Sequence, residues 1–424
     1  MKTPHIFFLL ILLSLFGCTI SELTAPPVAN DTNLAGTTAL PFTGGATINA
    51  MEGIYKLSSG SEDLGSRFVC KVSKYKVSFF SNSNGIFIIL KYGYKASDGS
   101  IQFSGFWRYS ESKSQGNIQF SISAADGAAG LLAGVVANMK LQGTFNGKLA
   151  TLQYEKDFST YAKNNPIMIF AHHGVQTYSD PPFMENSHDV ILYGGDYGVN
   201  GLELDVRMTK DNVPILIHDP TINIRLTQKG PLFGYWDQYG FSFISNYVKL
   251  LDGQRVPSVE QALNTFVDST TLKYVWLDMK GNEDVFKYLE PVVRNAYARA
   301  AATPGRGPVQ IFAGLPASSV IDELNKQPTY KGGNPAYSYS ASLPTLAEET
   351  LDKAIATGSQ YFGPRYTMGL LLEDVQRAHD KGIKVISWTL NSKAIISNYL
   401  QNGNFDGFIT DYPAYIIYEF YTTK

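Results

Sequence analysis

The chain has 424 residues, more than one ordinary core holds, since domains run to ~100–200 residues and α/β barrels to about 250. Hydrophobic residues make up 44% and charged residues 17%, a globular composition and not a disordered one. The 35 Lys and Arg nearly balance the 37 Asp and Glu, so nothing in the charge points to nucleic acid, which would need a basic patch or stripe.

The first residues, "MKTPHIFFLLILLSLFGC", place Lys2 ahead of an apolar run from Ile6 to Phe16. That run is far shorter than the ~20 apolar residues needed to span a bilayer. It predicts a secretory signal over 1–17. The "LFGC" at Leu15–Cys18 resembles the lipobox of bacterial lipoproteins. The resemblance implies cleavage before Cys18, lipidation of Cys18 with several acyl chains, and a protein held in the bacterial cell envelope, periplasmic or surface-exposed. More than one chain is what stable anchoring takes. Residues 18–45, rich in Thr, Ala, Pro and Gly without a period, read as the tether from that anchor.

From 46 to 160 the pattern has period two. Runs such as "YKVSFFS", "GIFIILKYGY" and "SIQFSGFWRYS" are separated by "SNSNG", "SDGS" and "NGK". This predicts a small antiparallel all-β domain, a sandwich or a barrel. "GAAGLLAGVVANM" (127–139) fits a short helix or a buried strand, and periodicity does not separate them. Once Cys18 is lipidated, Cys70 has no disulfide partner and reads as a packed side chain. "FWRY" (106–109) reads as core packing in preference to a surface patch. No histidine and no catalytic constellation falls in this half, and the partner of the β domain is unknown from sequence.

From 161 to 424, strand-like runs alternate with amphipathic segments. The runs are "IMIFAHHG", "GLELDV", "YVWLDMK", "VQIFAG", "AYSYS", "QYFGPRY", "KVISWTLN" and "GFITDYP". Ser258 and Gln261 form a capping box at the start of one helix, and Gly382 closes another. Eight such units in about 260 residues predict a (β/α)8 TIM barrel.

In "GLELDVRMTKDNVPILIHDP", Glu203 and Asp205 are two apart and share one face of a strand. "WLDMK" repeats the spacing with Asp278 and Lys280. Two like charges that close need a cation or a raised pKa. Three carboxylates at a barrel mouth suit a hard divalent ion, Mg²⁺ or Ca²⁺. Neutralisation by Lys280 and Arg207 explains the acids equally well. Of six histidines, His172, His173, His188 and His218 fall close together, and His172, His173 and His218 end strands. Strand ends are where a TIM barrel keeps its catalytic groups, and a histidine pair can serve as acid and base near neutral pH.

The motifs "AHHGVQTYSDPPFMENS", "GLELDVRMTKDNVPILIHDPTI", "VPSVEQAL", "WLDMK", "VISWTLN" and "DGFITDYP" resemble, in order, those of the glycerophosphodiester phosphodiesterase family. The resemblance covers about 165 to 413. It implies metal-dependent hydrolysis of a small-molecule phosphodiester to glycerol 3-phosphate and an alcohol. Carried over by position, Glu203, Asp205 and Asp278 are the metal ligands, and His172 and His218 the acid/base pair. His173, Lys280 and Trp388 fall at phosphate and substrate contacts, and Glu185 and Asn186 match the "E-N" of the first motif. Two departures stand out. The family has His-Arg-Gly where this chain has His172-His173-Gly174, which exchanges a planar guanidinium fork for a shorter side chain, only partly charged at neutral pH. The third ligand is usually Glu, and Asp278 is one methylene shorter. The insert after His218 keeps Arg225, and its Tyr235, Trp236 and Tyr239 either pack it against the barrel or line the mouth. Two other readings compete: a phospholipase C- or D-like enzyme acting on a lipid or inositol phosphodiester, and a catalytically silent ligand-binding lipoprotein. Retention of both histidines and all three acids argues against the silent one.

Overall fold

In the computed structural model, residues 23–59, 64–74, 76–174, 183–280, 285–315, 344–346, 350–356 and 358–424 are described. The signal segment, Cys18 and "AYSYS" lie outside these residues. Eight strands of the N-terminal half pair antiparallel with their neighbours and close on themselves: β1 (Gly53–Ser59), β2 (Arg67–Val72), β3 (Val77–Phe80), β4 (Phe87–Lys95), β5 (Ser100–Arg108), β6 (Gln115–Ile122), β7 (Lys140–Phe145) and β8 (Lys148–Lys156). The pairing of β1 with β8 completes a barrel, so no strand edge is left open. Its interior holds Tyr55, Phe68, Phe79, Phe103, Phe120 and Phe145. Cys70 is buried among them, and burial pushes its thiol well above the ordinary range. Trp107 also packs inside this barrel, and within 127–139 a short helix forms at Ala129–Leu132.

The wall β2–β3–β4 is apolar on both sides. Phe68, Phe79, Ile88 and Leu90 face the barrel interior, whereas Val69, Phe80, Phe87 and Ile89 belong to the core of the second domain. Alternation along a strand produces this split. Each such side chain stabilises by ~1.5–3 kcal/mol when fully buried. The outer face packs against the terminal helix Pro413–Thr423 and the turn Gly194–Tyr197. Polar contacts frame the seam: Ser78 Oγ donates to Asp196 O at 2.6 Å, and Tyr415 Oη to Glu111 Oε1 at 2.6 Å.

Gly198 fixes the approach. Its φ is +76°, and a Cβ there would stand 2.6 Å from Ile417 Cδ1 and 2.7 Å from a ring carbon of Phe80. Gly198→Val is therefore expected to destabilise the protein by ~1–3 kcal/mol from overpacking, with the backbone strain added. Thermal unfolding measures it, and an unchanged midpoint would show that the two domains do not rely on this contact.

The N-terminal arm, residues 23–38, lies along the first barrel. Asn33 Nδ2 donates to Phe103 O at 2.8 Å, Arg108 Nη1 to Thr24 O at 3.0 Å, and Thr38 exchanges backbone hydrogen bonds with Tyr94.

The second domain is built on β9 (Met168–Ala171), β10 (Gly201–Met208), β14 (Tyr274–Met279), β15 (Gln310–Leu315), β16 (Pro344–Leu346), β17 (Tyr361–Phe362), β18 (Lys384–Ser387) and β19 (Gly407–Thr410). These pair parallel in sequence order, and β19 returns to β9. Helices follow most strands, giving the (β/α)8 barrel. The fifth strand is Pro344–Leu346. The capping box of Ser258 and Gln261 is present, and Gly382 takes a φ of +72° past its helix. After β10 the chain turns back through β11 (Pro214–Leu216) and an insert, which carries the short antiparallel pair β12 (Thr221–Ile222) and β13 (Gly234–Tyr235), before the helix Val259–Ser269. The insert has its own small core around Trp236, Leu226, Ile244 and Leu250.

Candidate active site

The C-terminal ends of β9, β10, β14 and β18 surround a cavity of about 540 Å³, lined among others by His172, His173, Glu203, His218, Asp278, Lys280 and Trp388. Strand pairing sets this convergence, because Asp205 stands beside Asp278 and Glu203 beside Trp276 in the register of β10 with β14. Glu203 is 3% exposed and Asp205 0%. His188, by contrast, opens a helix behind Ser187 with its side chain half exposed, away from this cavity.

Each acid/base candidate is carried on a carboxylate. His172 Nδ1 lies 2.8 Å from Asp411 Oδ1. Asp411 receives Asn391 Nδ2, and its own N–H donates to Asn391 Oδ1 at 2.9 Å. Burial works against the Asp411 charge, but His172 holds its pKa below the ordinary value, so Nδ1–H is the donor and Nε2 is left for the site. His218 repeats the scheme, with Nδ1 2.8 Å from Asp219 Oδ1. Burial opposes the Asp219 charge too, yet His218, Arg225 and Asn223 hold it well below the carboxylate range. Arg225 forks onto Asp219 on one side and onto Glu185 on the other, at 2.7–3.0 Å. Asp411 and Asp219 were not singled out from sequence, although "HDP" and "TDYP" contain them: adjacency in sequence does not show which ring nitrogen a carboxylate meets.

His173, in the turn two residues past β9, has φ +52°, a conformation that costs a non-glycine residue of order 1–3 kcal/mol. Its N–H donates to Glu203 Oε2 at 2.7 Å, its Nδ1 meets Asp205 Oδ2 at 2.6 Å, and its carbonyl accepts from Asn186 N at 3.0 Å. Gly174 follows because a Cβ there would sit 2.4 Å from Val190. The His173 ring lies 3.7 Å from that of His172 and 5.0 Å from that of His218, centre to centre. Burial alone would strip its charge, but Asp205 and Glu203 prevail and raise it to about 10. The enclosed pair with Asp205 thus favours the charged form of His173 beyond what an isolated imidazole would show. Burial and that neighbouring charge lower His172.

Arg207 feels the charge of Asp205 and Asp219 but directs its hydrogen bonds elsewhere. It donates to the carbonyls of His218 and Lys280, each at 2.8 Å, and braces two strand ends. Lys280 Nζ makes the direct ion pairs, 2.5 Å from Asp278 and 3.1 Å from Asp205. Negative charge still exceeds what these cations settle. Burial and Asp205 push Glu203 up to about 8, and burial raises Asp278. Asp205 itself, despite burial, is held well below the usual range by His173 and Lys280. Its Oδ1 is buried with no hydrogen bond, although the Lys280 ammonium is near. Glu203, Asp205 and Asp278 can each offer an oxygen, all within 4.8 Å of one another. A divalent cation fits this set: it would engage the orphaned oxygen and relieve the crowding of acids. Asn186 supports the set from behind, donating Nδ2 to Asp205 Oδ2 at 2.7 Å.

On the opposite wall the Arg365 guanidinium lies 4.5 Å from the ring centre of Trp388, whose Nε1 donates to Gly363 O at 2.6 Å. Arg365, in the short β17 loop, is a cation the sequence motifs did not mark. Trp236 is buried in the insert and donates to Asp219 O at 2.9 Å, which is packing, whereas Tyr235 is 55% exposed beside it.

A family model, Glycerophosphoryl diester phosphodiesterase family, matches residues 172–415, more than half of the chain. An uncharacterized Bacillus subtilis protein, YqiK, is 26% identical over 254 residues, covering 58% of this chain and 95% of its own. A glycerophosphodiester phosphodiesterase of Caldanaerobacter subterraneus subsp. tengcongensis is 23% identical over 243 residues, 55% of this chain and 90% of its own. A solved glycerophosphodiester phosphodiesterase from Parabacteroides distasonis aligns at 17% identity with a TM-score of 0.44, over 58% of this chain and 93% of its own. The chain belongs to the glycerophosphoryl diester phosphodiesterase family and is a phosphodiesterase.

Proposed function

We propose that this protein hydrolyses glycerophosphodiesters to glycerol 3-phosphate and an alcohol, with His172 and His218 as the acid/base pair and a divalent metal in the adjoining acid cluster. The observation that carries the reading is the pair of histidines, each held through Nδ1 by a carboxylate, beside three converging acids in one cavity. A binding pocket alone needs no such pair. Glu203, Asp205 and Asp278 would hold the metal, and an all-oxygen set suits Mg²⁺ or Ca²⁺. When bound, the ion would offset phosphate charge and stabilise the charge that develops on its oxygens.

The protein's own groups supply the rest. His172 and His218 present Nε2 to the cavity; one takes a proton from the attacking hydroxyl and the other gives one to the leaving alkoxide. The lowered pKa of His172 suits it to accept. His173, charged, Lys280 and Arg365 place positive charge where a phosphodiester would sit. His173 thereby restores the cation that the family's Arg provides, in a different shape. Trp388 walls the site on the side of Arg365. In this reading the enzyme works in the bacterial envelope, anchored through lipidated Cys18.

The test is release of glycerol 3-phosphate from glycerophosphocholine before and after EDTA, with Mg²⁺ or Ca²⁺ returned. Activity lost to EDTA and restored by an ion supports the reading, and Glu203→Ala should not recover. Full turnover in EDTA would remove the metal from it.

A further inference from the structure

Five of the eleven exposed large apolar side chains among the described residues fall in the insert: Ile224, Phe233, Tyr235, Phe243 and Tyr247. Phe233 is 79% exposed. Tyr239, Phe243 and Tyr247 form a row of rings, 6.2 and 4.6 Å between successive centres. Tyr239 Oη donates to Phe233 O at 2.8 Å, which ties the row to Phe233, and exposed apolar side chains gathered this way mark a partner or a membrane. The patch adjoins the catalytic mouth, because the hollow beside Tyr235 and Trp236 is also lined by Arg207 and Lys280, which line the active cavity.

The chain itself indicates the occupant. Leu23, where the described residues begin, packs on the insert's own core. With residues 1–17 cleaved, a lipid on Cys18 would therefore attach within a short reach of this edge of the molecule. Four residues separate Cys18 from Leu23, and the span from one to the other reaches at most about 17 Å. Charge is sparse among these side chains: between Ile224 and Tyr247 the charged residues are Arg225, Lys229 and Asp237, and Arg225 is engaged by Glu185 and Asp219. Aromatic side chains without net charge suit the lipid–water interface.

We infer that the insert's aromatic surface docks on a lipid bilayer and holds the catalytic mouth at the membrane surface. The inference rests on the anchor read from residues 1–18, and its test needs no turnover. The full chain is bound to phosphatidylcholine vesicles containing a spin-labelled lipid, with Phe243→Trp or Phe233→Trp as reporter. Tyr161→Trp, also exposed and beside the start of β9 at the far end of the barrel, is the control. Quenching at 243 and 233 several-fold above that at 161, unchanged in high salt, is expected. Equal quenching at all three positions overturns the inference, as does a chain retained on vesicles with 243 and 233 unquenched, which would leave only the anchor. Shielding of 243 that depends on protein concentration without vesicles also overturns it, in favour of a second copy. Loss of soluble-diester hydrolysis alone would touch the proposed function and not this surface.

Discussion

Alanine in place of His218 or His172 is expected to lower turnover of a glycerophosphodiester by ~10²–10⁴-fold, the range over which a positioned acid or base acts. Neither change should disturb the fold much. The His218 side chain is 39% exposed and that of His172 24%, so little packing is lost. The double variant should be scarcely worse than either single one, since groups that act as a unit are not additive. Asp411→Asn should fall between wild type and His172→Ala, because it leaves the ring but removes the charge that fixes its Nδ1 proton. Steady-state kinetics on purified variants, with melting curves alongside, measure all of these. Retained activity in either single variant would remove that histidine from the chemistry.

Asp205→Ala is expected to destabilise the protein by ~3–5 kcal/mol, the scale of breaking a buried ion pair from one side. Asp205 is fully buried and meets His173, Asn186 and Lys280. Without it, the nearest carboxylate oxygen to His173 Nδ1 is that of Glu203, 3.9 Å away. The pH dependence follows from the same pair. His173 rises from 6.5 to about 10 on folding. Its contribution is complete below about 6.5 and is lost as pH rises through about 10. Metal-free wild type should therefore lose stability across that window, and Asp205→Ala should show a shallower slope. Denaturant unfolding at several pH values tests both. A variant as stable as wild type, or a parallel slope, would contradict this account of the network.

The eight-stranded parallel barrel was readable from alternating strand and helix patterns, and the site from carboxylates and histidines at strand ends. Period two gave the N-terminal all-β domain but left sandwich and barrel open, because closure depends on how β1 meets β8 across a hundred residues. "GIFIIL" breaks strict alternation. That break is the trace of the domain seam, where Phe87 and Ile89 face the second domain while Ile88 and Leu90 face the first barrel. The positions of Asp411 and Asp219 on Nδ1 and the presence of Arg365 in the cavity depend on side-chain direction, which spacing does not encode. The charge of His173 is hidden from the sequence for a related reason. An imidazole read alone has its ordinary pKa, and only the enclosed pair with Asp205 moves it.

The most direct measurement is phosphorus NMR of glycerophosphocholine incubated with the metal-loaded protein in water enriched in heavy oxygen. Glycerol 3-phosphate carrying one labelled oxygen, formed by wild type and not by His172→Ala or His218→Ala, is the predicted result. Phosphocholine and glycerol as products, label in the choline, or equal turnover by the histidine variants would contradict the central claim.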